Sequence, residues 1–257
     1  SDKKNNRKYP LADYSLTPTI AIVDPALVES VPDFITADTG MDVLTHATEA
    51  YTSNFANDYT DGLALQAIKL VFENLESSVK NADFESREKM HNASTMAGMA
   101  FANAFLGMSH SMAHKIGGFF HTVHGRTNAI LLPYVIRYNG TRPAKAATWP
   151  KYNYYKADVK FQDIAKMLGL PASTPEEAVD ALAKAVYDLG ERVGIDMSIK
   201  GQGVDEKEYM ATVEEIAYLA YEDQCSPANP RLPMVADMVE ILQDAYYGYK
   251  ERPGRIK

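Results

Sequence analysis

The sequence is poor in cysteine, in excess positive charge and in long apolar runs. A single cysteine, Cys225, in 257 residues leaves no internal disulfide available and fits a reducing cytoplasm, where the chain is expected to reside. Lys plus Arg number 26 against 34 Asp plus Glu, a net charge of −8 with no basic stripe. Such a chain repels a phosphate backbone, so no nucleic-acid partner is expected. Glycine (15) and proline (13) stand at ordinary levels beside 46% hydrophobic and 23% charged residues, which excludes collagen-like and low-complexity chains. No apolar stretch follows the opening SDKKNNRK, so no secretory signal is expected. The segment from His91 to His114 holds no Asp, Glu, Lys or Arg and is long enough to span a bilayer. It nevertheless carries His91, Asn92, Asn103, His110 and His114 among Ala, Gly and Ser, a composition too polar for lipid. It reads as a helix buried in a soluble protein, with no membrane partner. GxGxxG, GxxxxGK[ST] and HExxH are all missing, so neither a phosphate loop nor zincin chemistry has support.

The patterns that are present are mostly helical. TIAIVD (19–24), β-branched and bounded by Pro18 and Pro25, predicts a short buried strand. After Pro32 the period changes. Residues 41–53 put Val43, Leu44, Ala47, Ala50 and Tyr51 on one apolar face, and 61–79 and 86–106 continue in helical register. NAILLPYVIRYN (128–139) predicts a buried helix, and VKFQDIAKMLGL (159–170) predicts another beyond a tyrosine-rich loop near 138–156. Thr174, Pro175 and Glu177 spell a helix start, Asp205 and Glu208 repeat its logic, and a last helix is expected over 233–247. The expected fold is mainly α. An all-helical metal-binding catalytic domain (33–257) follows a short strand-containing tail of an α/β nucleotide-binding domain (1–32).

The histidines carry the chemical signal. Four of the six, His110, His114, His121 and His124, lie between residues 110 and 124. Asp42 and His46 sit four apart, so both side chains leave one face of a helix, and His110 and His114 repeat the spacing. His124 precedes Gly125, where a tight turn is expected to aim the imidazole back toward the helix. Imidazoles with a carboxylate bind first-row divalent metals such as iron and zinc, and with an open position they suit a Lewis acid that polarises a substrate oxygen. The competing account is a set of core histidines hydrogen-bonded to backbone carbonyls. His91, just after REK (87–89), reads as a histidine at a helix surface or boundary. Glu49, seven residues after Asp42, is either an orienter behind the ligands or simply solvated, and the sequence favours solvated. Cys225 in DQCSPANPR is either an inert small side chain or a pocket residue.

Together GMDVLTHATEAY (40–51), FANAFLGMSHSMAHKIGGFFHTVHG (101–125) and DQCSPANPR (223–231) resemble the iron-containing (group III) alcohol dehydrogenases. The resemblance is strongest to the alcohol dehydrogenase half of the bifunctional acetaldehyde-CoA/alcohol dehydrogenases. KYPLADYSLTPTIAIVDPALV (8–28) and AYYG (245–248) extend it over nearly the whole chain. It implies metal ligation by Asp42, His46, His110 and His124, with Fe²⁺ as the ion and Zn²⁺ as the alternative. It also implies a proton-transfer or orienting role for His114, a substrate pocket lined by Phe101 and Cys225, and NAD(H) contacts at Lys8, Pro25, Leu27, Val28 and Glu29. The implied reaction is NADH-linked reduction of acetaldehyde to ethanol and its reverse, in an enzyme that assembles as a homo-oligomer or filament. The family's glycine-rich pyrophosphate loop is not in this sequence, so the chain by itself is expected to be nearly inactive. Two other readings compete with this one: a metal-dependent hydrolase, for which Glu49 is the candidate base, and a filament-forming structural domain using some of the 16 tyrosines.

Overall fold

The computed structural model describes residues 13–143 and 155–248. Among the described residues there are nine α-helices and no strand: α1 (Asp33–Thr52), α2 (Asp58–Lys80), α3 (Phe84–Ala104), α4 (Met108–Phe119), α5 (His124–Gly140), α6 (Ala157–Met167), α7 (Pro175–Arg192), α8 (Glu206–Tyr221) and α9 (Val235–Tyr247). The starts follow local chemistry. The Asn57 carboxamide accepts from the amides of Tyr59 and Thr60, and Asp83 caps α3 by accepting from the Ser86 amide at 2.9 Å. Thr174 Oγ1 accepts from the Glu177 amide with Pro175 in the first turn, as the sequence indicates, and Asp205 accepts from the Glu208 amide.

Burial then organises the helices around two cores. The first is formed by α1, α2 and α3 with α6 and α7, and includes Leu44, Ile68, Leu75, Phe161 and Leu182. The second joins α4, α8 and α9 through Met112, Ile116, Ile216, Leu242 and the ring of Tyr209. Helix α5 belongs to both. Ala129, Leu132 and Ile136 face the first core, while Ile130, Leu131, Tyr134 and Val135 face the second. Each fully buried aliphatic side chain contributes about 1.5–3 kcal/mol, so a helix with two apolar faces is fixed in rotation about its own axis. That matters because α5 opens with His124. Several tyrosines, Tyr209 and Tyr246 among them, are core residues and unavailable to an interface.

Two expectations need correction. Residues 19–24 form no strand: Ile20 and Ile22 are 79% and 85% exposed, and only the 3₁₀ turns Tyr14–Leu16 and Pro25–Val28 form nearby. A β-branched run becomes a strand only where another strand completes its hydrogen bonds, and among the described residues none does. The charge-free run from His91 to His114 is not one helix. It breaks at Phe105–Gly107, where Phe105 takes φ +62, giving α3 and α4. Accordingly no helix among the described residues is long and apolar enough to cross a membrane. The tyrosine-rich loop falls largely outside the described residues.

Candidate metal centre

Helix α1 carries Asp42 and His46 one turn apart, and both are partly buried. Helix α4 adds His110, which is buried, and α5 adds His124 as its first residue. One ligand atom from each of the four lies within 4.8 Å of the others. His110 Nε2 is 3.7 Å and His124 Nε2 is 3.9 Å from Asp42 Oδ1. Ligands about 2.1 Å from a tetrahedral ion stand roughly 3.4 Å apart, so these separations are near what an ion requires. Gly125 permits the approach, though not through the turn the sequence suggested. It lies inside α5, and a Cβ there sits 2.3 Å from the Asp38 carbonyl oxygen of α1. Glycine here serves helix contact, not a turn. Arg126 pins the same junction, its Nε and Nη2 donating to Asp38 at 2.7 and 3.0 Å.

The donor set has the electrostatics of a cation site. The His46 ring stacks between Phe101 (4.6 Å) and His110 (4.5 Å), and burial, reinforced by His110, pushes it down to about 3, so it is neutral at ordinary pH. Burial acts to raise the Asp42 carboxyl, but His46, His110 and His124 and a 2.8 Å hydrogen bond from Asn128 Nδ2 outweigh it and hold it below the ordinary carboxylate range. The deciding atom is His110 Nε2. It is buried without a hydrogen-bond partner, while Nδ1 of the same ring lies 2.6 Å from Glu49 Oε2. With the proton on Nδ1, Nε2 presents a bare lone pair to Asp42 and the other imidazoles. A buried acceptor left without a donor costs about 1–3 kcal/mol, and an ion at this point removes the cost. The residues fit a divalent metal.

His114, one turn beyond His110, stands next to this group. Its ring stacks on His124 at 5.4 Å and its Nδ1 is 3.3 Å from Asp223 Oδ2. Asp223 is buried and also accepts from Lys115 Nζ at 2.7 Å and from the Cys225 amide at 3.0 Å. Burial works to raise its carboxyl, but His114, Lys115 and that amide together hold it far below the ordinary range. The Cys225 thiol is buried and pushed upward by desolvation and then by the charges of Asp223 and Glu49, so it stays protonated. Phe101 is partly buried against His46. Pro25, Leu27 and Val28 lie in the 3₁₀ turn and the exposed Glu29 follows it, with the Val28 carbonyl accepting from Arg87 Nη1 at 2.7 Å. Lys8 lies outside the described residues. His121, exposed at φ +55, and His91, partly buried on α3, stay outside the ligand group.

Glu49 corrects the sequence reading. It is 3% exposed, and its oxygens accept from the amides of Gly107 (2.9 Å) and Ser109 (2.7 Å) as well as facing His110. So engaged, it is not free to act as the base that a hydrolase needs. Sequence reasoning also missed Asn128, Asp223 and the Arg126–Asp38 pair, whose partners lie far away along the chain.

A family model described as Fe-containing alcohol dehydrogenase family, C-terminal, matches residues 36–246. The chain belongs to the iron-containing alcohol dehydrogenases. It is 81% identical over all 257 residues to an aldehyde-alcohol dehydrogenase of Streptococcus pneumoniae, of which it covers 29%. An iron-containing alcohol dehydrogenase of Thermococcus thioreducens superposes with a TM-score of 0.80 at 34% identity, over 92% of this chain and 57% of that one. A sulfoacetaldehyde reductase of Bifidobacterium kashiwanohense, solved with NAD⁺, gives 0.74 at 29% identity over 92% and 57%. The resemblance drawn from the motifs is therefore met, and the helical architecture matches that of an oxidoreductase family.

Proposed function

We propose that this chain is the catalytic helical domain of a metal-dependent, NAD(H)-linked alcohol dehydrogenase that interconverts acetaldehyde and ethanol in the cytoplasm. The observation that carries it is the convergence of Asp42, His46, His110 and His124 around the bare Nε2 of a buried imidazole. Iron in the +2 state is the ion proposed, with zinc the alternative, because one carboxylate and three imidazoles suit both. When bound, the metal supplies a Lewis acid toward the substrate oxygen and the nicotinamide supplies the hydride. The chain's own contribution is positioning. Asp42 offers the one negative charge, His46 is kept neutral by burial, and Asn128 fixes the Asp42 carboxylate in direction. His114 carries the proton to and from the substrate oxygen, with Asp223 holding its Nδ1 and leaving Nε2 for the transfer. Cys225 supplies apolar surface beside it, and Phe101 does so beside His46. Pro25, Leu27, Val28 and Glu29, together with Lys8, contribute to holding NAD(H). Homo-oligomeric assembly is part of the same reading, and the exposed Ile20 and Ile22 offer apolar surface for packing.

The test is elemental analysis after anaerobic loading with Fe²⁺ or Zn²⁺. Near one metal per chain is expected for the parent, and little for Asp42→Ala. A folded parent that takes up no metal, or an Asp42→Ala variant that retains it fully, overturns the assignment.

A further inference from the structure

We propose that Glu49 is a positioning residue for the metal centre. Its one buried carboxylate selects the tautomer of His110 and pins the start of α4 to α1. The inference rests on the metal reading above and deepens it.

A helix start needs acceptors for its first amides, and a local Ser, Thr, Asp or Asn side chain normally supplies one. Helix α4 has none: Gly107 stands at the cap and no side chain there accepts. The acceptors come from elsewhere in the fold. Glu49 Oε2 takes the Gly107 amide at 2.9 Å, Glu49 Oε1 takes the Ser109 amide at 2.7 Å, and Asn229 Oδ1 takes the Met108 amide at 3.2 Å. A Cβ on residue 107 would stand 2.9 Å from Glu49 Oε1 and 2.7 Å from Asn229 Oδ1. Glycine therefore leaves room for acceptors brought in from other parts of the fold.

The same carboxylate then reaches the ligand. A carboxylate only accepts, so at 2.6 Å His110 Nδ1 is the donor, and in the neutral ring that leaves the lone pair on Nε2. That lone pair is the buried, unpartnered atom 3.7 Å from Asp42 Oδ1. Asp42, His46 and Glu49 recur at helical spacing on α1. One helix thus fixes three of the four ligands, two directly and His110 through Glu49. A carboxylate behind a ligating imidazole also strengthens it as a donor.

Glu49→Gln separates this role from packing. The amide keeps the shape but turns an NH₂ toward a donor: in place of Oε1 it leaves the Ser109 N–H without its acceptor, and in place of Oε2 it strips the Gly107 N–H and drives His110 to the opposite tautomer. Asn229→Ala serves as the comparison, since it strips the Met108 amide, together with bonds to Asn139 and the Arg231 carbonyl, without touching His110. Zinc alone is titrated into each form of the 257-residue chain in competition with a chromophoric chelator. Glu49→Gln is expected to weaken zinc binding by about 10–100-fold, and Asn229→Ala by no more than roughly threefold. Imidazole ¹⁵N shifts of the metal-free parent provide a measurement that needs no variant to fold, and they are expected to show His110 protonated at Nδ1. Zinc binding by Glu49→Gln equal to the parent's, an equal loss in Asn229→Ala, or His110 protonated at Nε2 overturns the proposal and leaves the metal centre standing. A parent that binds no zinc overturns both.

Discussion

Two polar clusters meet across α4, and they solve the burial of charge in opposite ways. Around Asp42 one carboxylate faces three imidazoles, of which the partly buried His46 is held neutral, and His110 Nε2 has no hydrogen-bond partner. Around Asp223 one carboxylate faces Lys115 at 2.7 Å, His114 at 3.3 Å and a backbone amide at 3.0 Å. The second cluster already contains its cation. In the first, the titratable side chains facing Asp42 are imidazoles, with no Lys or Arg paired to it among the described residues. His114, Asp223 and Cys225 also bring three ligand-type atoms within 4.8 Å, so proximity alone does not distinguish the clusters. What does is whether the charge is already balanced.

The largest expected effect attacks the unbalanced cluster. His124→Ala removes the ligand that α5 contributes while leaving the helix's two apolar faces in place, and it should cost most of the bound metal by elemental analysis. Full stoichiometric retention would sink the four-ligand assignment. Lys115→Met tests the balanced cluster. It leaves Asp223 buried beside a methyl group, and should cost about 2–3 kcal/mol in urea unfolding of the metal-free chain. The cost has a pH signature. The folded carboxyl lies below its ordinary 3.8, so its contribution is present above that value and is lost as pH falls toward the folded one. Losing Lys115 shrinks that contribution and moves acid unfolding to higher pH. An unchanged acid midpoint would mean that Lys115 does not neutralise Asp223.

The first cluster responds to acid in a different window. His46 titrates near 3 in the folded chain against 6.5 when exposed, so between these values the unfolded chain holds the proton and the folded one does not. Stability of the metal-free protein should therefore fall as pH drops below about 6.5. His46→Gln should flatten that slope, as read from urea midpoints at several pH values. A slope identical to the parent's would show that His46 is not buried as a neutral base.

The contrast also explains what the sequence discloses. Asp42 and His46 are legible because a helix repeats every 3.6 residues and four-apart side chains share a face. His110 and His124 are legible as residue types, but the approach that brings His124 to Asp42 depends on Gly125 packing against the Asp38 carbonyl. A glycine signals close contact and turns alike, so the sequence suggested the wrong one. Glu49 reads as solvated in the sequence because the amides it serves begin 58 residues further on. Asp223 carries no sequence signal for the same reason, lying 109 residues from His114. Residues 19–24 show the reverse error: the apolar pattern suits a strand, yet Ile20 and Ile22 face solvent because no strand lies beside them among the described residues. Short-range chemistry is readable, and partners supplied by the fold are not.

The smallest expected effect sets a baseline for both clusters. Thr174 Oγ1 accepts from the Glu177 amide at 3.2 Å at the start of α7, in a cap made entirely of neighbouring residues. Thr174→Ala should cost about 1 kcal/mol of stability, since one amide at a solvent-facing helix end then turns to water. Zinc affinity should be unchanged, because none of the four ligands is on α7. Cap loss at α4 through Glu49 reaches a ligand, whereas cap loss at α7 reaches none. If Thr174→Ala weakened zinc binding as much as Glu49→Gln, general loosening of the helices would explain both, and the distinction between a cap and a ligand support would collapse.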